Sequence, residues 1–307
     1  MKQFLVIVVI LLIALGAFGW YQGWFSGGEV RVAPNGDDPS NGNDDTDTGT
    51  TTDSGDTAGE GIDSDGTVIG SSAGGRDIVA YRYGRGGNDY IIVAGIHGGY
   101  SANTSLTAFE LMDWLEANPD EIPDDVQVTV IPVLNPDGLN EVMGTTDRFS
   151  ASAIPAREER IAGRFNANGV DLNRNFDCDW QSTGTWQSRE VDGGSRAFSE
   201  PESVVLRNYV RTYNPTAAVV FYSAAGEVVA ASCGGTTPSG TQALVNAYAS
   251  ASGYTPKDSF DHYEITGDAA NWMAKEGIPT ISVILNSHTS AEWTQNRAGI
   301  RALLERH

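Results

Sequence analysis

Apolar positions along the chain follow three regimes. Residues 5–20 are almost wholly apolar, and the character runs on weakly to Phe25. Roughly twenty such residues are enough to cross a hydrocarbon core as a helix. From residue 27 to about 66, large apolar side chains almost vanish. Beyond that they return in short runs. Residues 77–83, 90–96, 126–134, 217–222 and 279–285 read as strands. The second, third and fifth are nearly continuous apolar runs, the mark of strands buried on both faces. Helical patterns lie between them. Residues 105–117 put Leu106, Phe109, Leu111, Trp114 and Leu115 mostly on one side. Ser199-Glu200-Pro201-Glu202 reads as a capping box with Pro in the first turn, opening a helix to about Tyr213. Residues 241–251, 268–275 and 291–306 read as further helices. This alternation predicts an α/β fold: a mixed, largely parallel sheet with helices on both faces, binding ligands beyond the strand carboxyl ends.

Three segments follow: 1–26, 27–66 and a single folded domain, 67–307. Lys2 precedes the first apolar run and no Lys or Arg follows until Arg31. That asymmetry keeps the N-terminus cytoplasmic and sends the rest outward. Trp20, Tyr21, Trp24 and Phe25 resemble an interfacial aromatic belt, so residues 1–26 read as a single-pass membrane anchor. A cleaved signal peptide with a weak Ala14-Leu15-Gly16 site is the alternative, giving a secreted protein. Either way the domain is extracytoplasmic.

The net charge of −21 is largely local. Residues 27–66 are mostly Gly, Asp, Thr, Ser and Asn, with nine Asp from Asp37 to Asp65. Such a segment buries too little surface to offset ordering entropy and reads as a disordered, self-repelling spacer. It has no EF-hand spacing. So acidic a chain excludes nucleic acid as a partner. Cys178 and Cys233 either pair, as an exported protein permits, or remain two buried thiols.

Motifs narrow the function. Ala94-Gly95-Ile96-His97-Gly98-Gly99 follows one apolar strand, and Pro132-Val133-Leu134-Asn135-Pro136-Asp137-Gly138 follows the next. Then come Gly169-Val170-Asp171-Leu172-Asn173-Arg174-Asn175-Phe176, Ser199-Glu200-Pro201-Glu202, and Tyr263-Glu264-Ile265-Thr266-Gly267-Asp268. In this order they resemble the zinc metallocarboxypeptidases of the carboxypeptidase A type, especially the compact bacterial branch acting on cell-wall peptides. Asp-Leu-Asn-Arg-Asn-Phe is the most specific run, and the resemblance spans nearly all of residues 77–305. It implies a carboxypeptidase-like fold. It also implies substrate-binding roles for Asn173 and Arg174, which match the pair holding a substrate's terminal carboxylate. Arginine suits that task because its planar fork binds a carboxylate through two parallel hydrogen bonds. Tyr263 matches a tyrosine that closes over substrate, and Arg164 the arginine that polarises the scissile carbonyl. His97 matches the first zinc ligand, and Asp171 the carboxylate orienting that histidine.

The chain then departs from the pattern. Hydrolysis in this family needs two His and one Glu on zinc, plus a Glu base. The zinc-ligand Glu should lie three or four residues after His97, at Tyr100 or Ser101, with Ser101 taken as the replacement. Tyr222 stands in place of the second His, and Ile284 in place of the general base. A rebuilt metal site would have to draw on His262, His288 or Glu110. The expectation is a catalytically inactive homologue without a cofactor, binding C-termini of peptides or cell-wall stem peptides. The alternatives are an active metallocarboxypeptidase with a non-standard zinc ligand set, and a purely structural domain.

Overall fold

The computed structural model describes residues 66–306; the expected anchor and nearly all of the expected linker lie outside them. Among the described residues, no helix is long and apolar enough to cross a membrane.

Eight strands form one sheet in the order β1-β2-β4-β3-β7-β10-β8-β9. They are β1 (Thr67–Ser71), β2 (Asp77–Gly84), β3 (Asn88–Val93), β4 (Val126–Ile131), β7 (Ala217–Ser223), β8 (Glu227–Ala230), β9 (Thr255–Lys257) and β10 (Thr280–Leu285). Strands β5 (Thr183–Trp186) and β6 (Arg189–Asp192) pair separately as a hairpin. β4, β3, β7 and β10 form the parallel centre, while β1–β2, β2–β4 and β10–β8 are antiparallel. The sheet is therefore mixed and parallel at its heart, as the continuous apolar runs imply. The short flanking strands β1, β8 and β9 escape that reading because they are brief and lack a long apolar run.

Alternation along the central strands feeds two cores. Ile92, Val219, Phe221 and Val283 join one, with α1 (Ala102–Ala117), α4 (Thr241–Ser252) and α6 (Trp293–Leu304) over it. Ile91, Val93, Ala218 and Val220 join the other, with α3 (Pro201–Tyr213) and α5 (Ala269–Lys275). α2 (Pro136–Met143) starts at the carboxyl end of β4. Five of these helices stand where the sequence places them; α2 is not among those the pattern predicts, and the start of α3 differs in detail. Ser199 and Glu202 do not form a capping box. The Ser199 hydroxyl donates to Glu200, and Glu202 accepts from the Ala73 N–H and Asn166 instead. Ser199 Oγ also accepts from Asn175, so distant partners engage both side chains, while Pro still occupies the first turn of α3.

Cys178 and Cys233 form a disulfide, with Cα atoms 5.9 Å apart. It ties the segment after Phe176 to the end of β8, 55 residues later.

Candidate functional site

The carboxyl ends of β3, β7 and β10 open on one cleft of about 770 Å³. Each strand delivers a side chain to it. β3 ends at Val93, and Gly95 turns the chain towards His97 with φ +65°. A Cβ at Gly95 would meet the Ser105 hydroxyl at 2.6 Å and the Val133 backbone at 2.9 Å, so the turn needs glycine. β7 delivers Tyr222, and β10 delivers Ile284 directly beside it in parallel register.

His97 opens a single 3₁₀ turn, Gly98–Ser101. With three residues per turn, positions i and i+3 eclipse. Tyr100 therefore returns to the cleft beside His97, and Ser101 rotates out of its lining. Ser101 is buried with its hydroxyl unpartnered. Of the two positions offered for the missing glutamate, Tyr100 borders the cleft and Ser101, the one taken as its replacement, does not.

The Asp171 carboxylate is fully buried. Its Oδ2 accepts Arg164 Nε at 2.9 Å and pairs with Nη2 at 2.8 Å. Its Oδ1 accepts the Asn173 N–H at 3.1 Å. His97 Nε2 is 3.8 Å away, beyond hydrogen-bond range. Asp171 thus clamps Arg164 rather than orienting His97 through a hydrogen bond. Burial pushes its carboxyl up, but Arg164, then Arg174 and His97, outweigh that and hold it below the usual range. Both ring nitrogens of buried His97 lack a partner. Burial, then Arg164, keeps the ring neutral.

Asn173 also departs from expectation. Its amide donates to Asp268 at 2.7 Å and accepts from the Ala269 N–H at 3.1 Å. The Tyr222 hydroxyl lies 3.2 Å from both Asn173 Oδ1 and Asp268 Oδ2. Asn173 is largely committed to this internal network, so it positions its neighbours more than it offers itself to a ligand. Burial, then Asp268, pushes the Tyr222 phenol well above its ordinary pKa and keeps it a neutral donor.

Arg174 is 1% exposed yet borders the cleft. Nη1 donates to the Asn173 carbonyl and Nη2 to the Thr185 carbonyl, each at 2.7 Å. Nε has no partner, and among the described residues no carboxylate pairs with this guanidinium. Half-buried Tyr263 brings its ring to 5.9 Å from the guanidinium carbon.

Sequence reasoning missed Trp186. It sits on the β5–β6 hairpin, buried, 4.4 Å from the Arg164 guanidinium and 4.8 Å, edge on, from Tyr100. The four-residue strands are too short for a clear period, but the alternation Thr183, Thr185 outward and Trp186 inward was a weak signal. Asp268 ends the Tyr263–Asp268 motif, and nothing in that spacing signals its burial against the Tyr222 hydroxyl.

Residues 65–304 match the family model for zinc carboxypeptidases. The chain belongs to that family. Among curated relatives it is 24% identical over 218 residues to gamma-D-glutamyl-L-diamino acid endopeptidase 1 of Lysinibacillus sphaericus, covering 64% of this chain and 55% of that one. It is 29% identical over 153 residues to a zinc carboxypeptidase of Simulium vittatum, covering 47% and 48%. The chain thus spans about half the length of these relatives. Among solved structures, carboxypeptidase A of Helicoverpa armigera aligns with a TM-score of 0.60 at 18% identity, over 80% of this chain and 66% of that one. The murein-tripeptide amidase of Escherichia coli O157 aligns at 0.57 and 20%, over 78% and 92%. At such identities the structural likeness shows the fold.

The family is zinc-dependent, but the residues at this cleft do not fit a zinc ion. His97 supplies a free nitrogen; Tyr100, Tyr222 and Ile284 supply neither a thiolate, an imidazole nor a carboxylate. The rebuilt alternatives do not assemble. His262 Nε2 is 3.0 Å from Glu227, and His288 Nδ1 is 3.1 Å from the Ser223 hydroxyl. Glu110 lies on α1 outside the cleft lining. Among the described residues, the one set of three potential ligand atoms close enough to share an ion is Cys178, Asp179 and Cys233. Its two sulfurs are consumed by the disulfide.

His288 gives a pH signature. Burial, then Arg160, Arg157 and Arg164, lower its pKa to about 4. Between that value and about 6.5 the unfolded chain takes up a proton that the native ring refuses. Stability is therefore full above about pH 6.5 and falls towards pH 4, by about 2–3 kcal/mol from this group at most. Urea unfolding from pH 7 to 4.5 should show a shallower decline for His288→Gln. Parallel profiles for variant and wild type would contradict it.

Proposed function

We propose that this domain recognises peptides through a free C-terminal carboxylate without hydrolysing them, cell-wall stem peptides being the ligand class. The observation that carries this reading is Arg174: a buried guanidinium at the cleft, held by two backbone carbonyls and matched by no carboxylate of its own. Asp171 and Asp268 act on this guanidinium only from beyond ion-pair distance, so a ligand carboxylate would be the group that meets it directly, with charge-assisted hydrogen bonds. The cell-wall assignment draws support from the relatives, one a gamma-D-glutamyl-L-diamino acid endopeptidase and one a murein-tripeptide amidase. An extracytoplasmic setting agrees with the disulfide, which persists in oxidising compartments, and with the apolar N-terminal run as a membrane anchor.

Calorimetric titration with paired acid and amide peptides, including D-amino-acid stem peptides, tests this. The acid should bind on the order of ten- to hundredfold more tightly, the worth of a charge-assisted contact. Arg174→Ala should remove most of the preference, and Arg174→Lys should restore little because an ammonium lacks the fork. Equal affinity for acid and amide, unchanged by Arg174→Ala, would leave a structural domain. Hydrolysis of either peptide would refute the non-hydrolytic reading.

A further inference from the structure

Gly184 and Trp186 stand two residues apart on β5 and therefore face the same way, inward. Each covers one arginine of the cleft. The Trp186 ring lies 4.4 Å from the Arg164 guanidinium. Gly184 lies so close to Arg174 that a Cβ there would stand 2.7 Å from the arginine's Cδ and 2.9 Å from its Nε. Carbon atoms in contact sit about 3.5–4.0 Å apart, so only glycine fits while Arg174 keeps its place.

The far end of a long side chain usually yields to such crowding, but Arg174 is pinned. Its backbone N–H donates to the Asp171 carbonyl at 2.9 Å. Nη1 donates to the Asn173 carbonyl and Nη2 to the Thr185 carbonyl, each at 2.7 Å. The side chain is buried, so any shift of Cδ breaks one of these bonds with no water to replace it. The two carbonyls also flank the guanidinium. Nη2 lies on the side of the Nε–H and Nη1 on the side of Cδ, so Thr185 takes one flank and Asn173 the other. Gly184 backs the Nε flank, where the N–H has no partner. The hydrogens left over are those between Nη1 and Nη2, the end-on fork that meets a carboxylate through two parallel bonds.

We infer that the β5–β6 hairpin positions Arg174 for its ligand: Gly184 admits the side chain, the Thr185 carbonyl fixes its rotation, and together they present the end-on fork to the carboxylate. This rests on the carboxylate-binding reading above. Gly184 and Thr185 are positioning residues, and neither stands in the motif that carries Arg174.

The test is Gly184→Ala in two backgrounds, the full chain with Arg174 and the full chain with Arg174→Ala. Gly184 sits in a regular strand in register with Val191, so alanine suits the backbone. Beside Arg174 the new methyl should lower the unfolding midpoint by roughly 2 °C or more, the effect of overpacking. In the Arg174→Ala chain it should leave the midpoint unchanged or raise it, since alanine is easier to order in a strand than glycine. Calorimetric titration with a D-amino-acid stem peptide, as acid and as amide, reads the function. Gly184→Ala should cut the acid-over-amide preference from on the order of ten- to hundredfold to about threefold or less, with amide affinity as in wild type. A merely structural glycine would weaken both forms alike or neither. An unchanged preference in Gly184→Ala would overturn the inference and spare the carboxylate reading. Equal midpoint losses in the two backgrounds would overturn it as well, because the crowding would then lie elsewhere than at Arg174. Wild type binding acid and amide equally, with the midpoints still split by background, would sink the carboxylate reading and reduce the contact to packing.

Discussion

Asp171→Ala should lower the unfolding free energy by about 3–5 kcal/mol, the cost of breaking a buried ion pair from one side. Asp171 is 0% exposed and Arg164 2%. Removing the carboxylate strands a guanidinium beneath Trp186 with no water to replace it, although the indole face offers partial compensation. For a domain of this size that corresponds to roughly 10 °C in midpoint. Asp171→Asn should do nearly as much damage, because it keeps the shape and loses the charge. The double variant Arg164→Met/Asp171→Leu should recover most of the loss, since an apolar pair of similar volume removes both desolvation penalties. Chemical denaturation of the four proteins measures it. A cost below about 1 kcal/mol for Asp171→Ala would mean that water reaches the pair and that Asp171 is not structural.

The second large effect concerns metal. Wild type should hold no stoichiometric zinc, and Tyr100→Glu, Tyr222→His or Ile284→Glu alone should confer neither zinc binding nor hydrolysis. Two donors do not make a tight site, and a base without a metal has no activated water to serve. Tyr100→Glu/Tyr222→His, with His97, completes a two-histidine, one-carboxylate donor set. Without zinc this variant should be less stable than wild type. Glu would replace a ring packed edge-on against both Trp186 and His288, and the new His would leave Asn173 and Asp268 without the tyrosine hydroxyl. Zinc should then raise its stability by about 4 kcal/mol at a thousandfold excess over the dissociation constant. Elemental analysis and thermal unfolding with and without zinc read this directly. About one tightly held zinc per wild-type chain would sink the argument, as would zinc stabilisation of the Ile284→Glu single variant.

Much of this was legible in the chain because the informative residues stand at fixed offsets within local motifs. Tyr222 ends an apolar strand just before Ser223, and Ile284 lies inside another just before Leu285. A strand's period is two, so the face each presents follows from its neighbours. The central strands were readable for the same reason, since burial on both faces demands uninterrupted apolar runs. Where local geometry varies, the reading slipped. Tyr100 and Ser101 are one residue apart, and only the tightness of a 3₁₀ turn decides which one faces the cleft.

Family and mixed α/β sheet could be read from the chain alone, and so could the presence of His97, Asp171, Asn173 and Arg174 within its motifs and of Tyr222 and Ile284 near the ends of two apolar strands. Each depends on residues close together in the chain. The tertiary structure alone decided what those retained groups touch. Asp171 meets Arg164 instead of hydrogen-bonding His97, Asn173 turns inward to Asp268, and Trp186 packs against Tyr100 on a hairpin no pattern announced. It also joined Cys178 to Cys233 and set Gly184 against Arg174. Asn173 and Asp268 are 95 residues apart, the two cysteines 55, and even Arg164 and Asp171 seven, and a side chain with several acceptors within reach takes the one that packing brings nearest. Propensity and spacing carry no record of that choice.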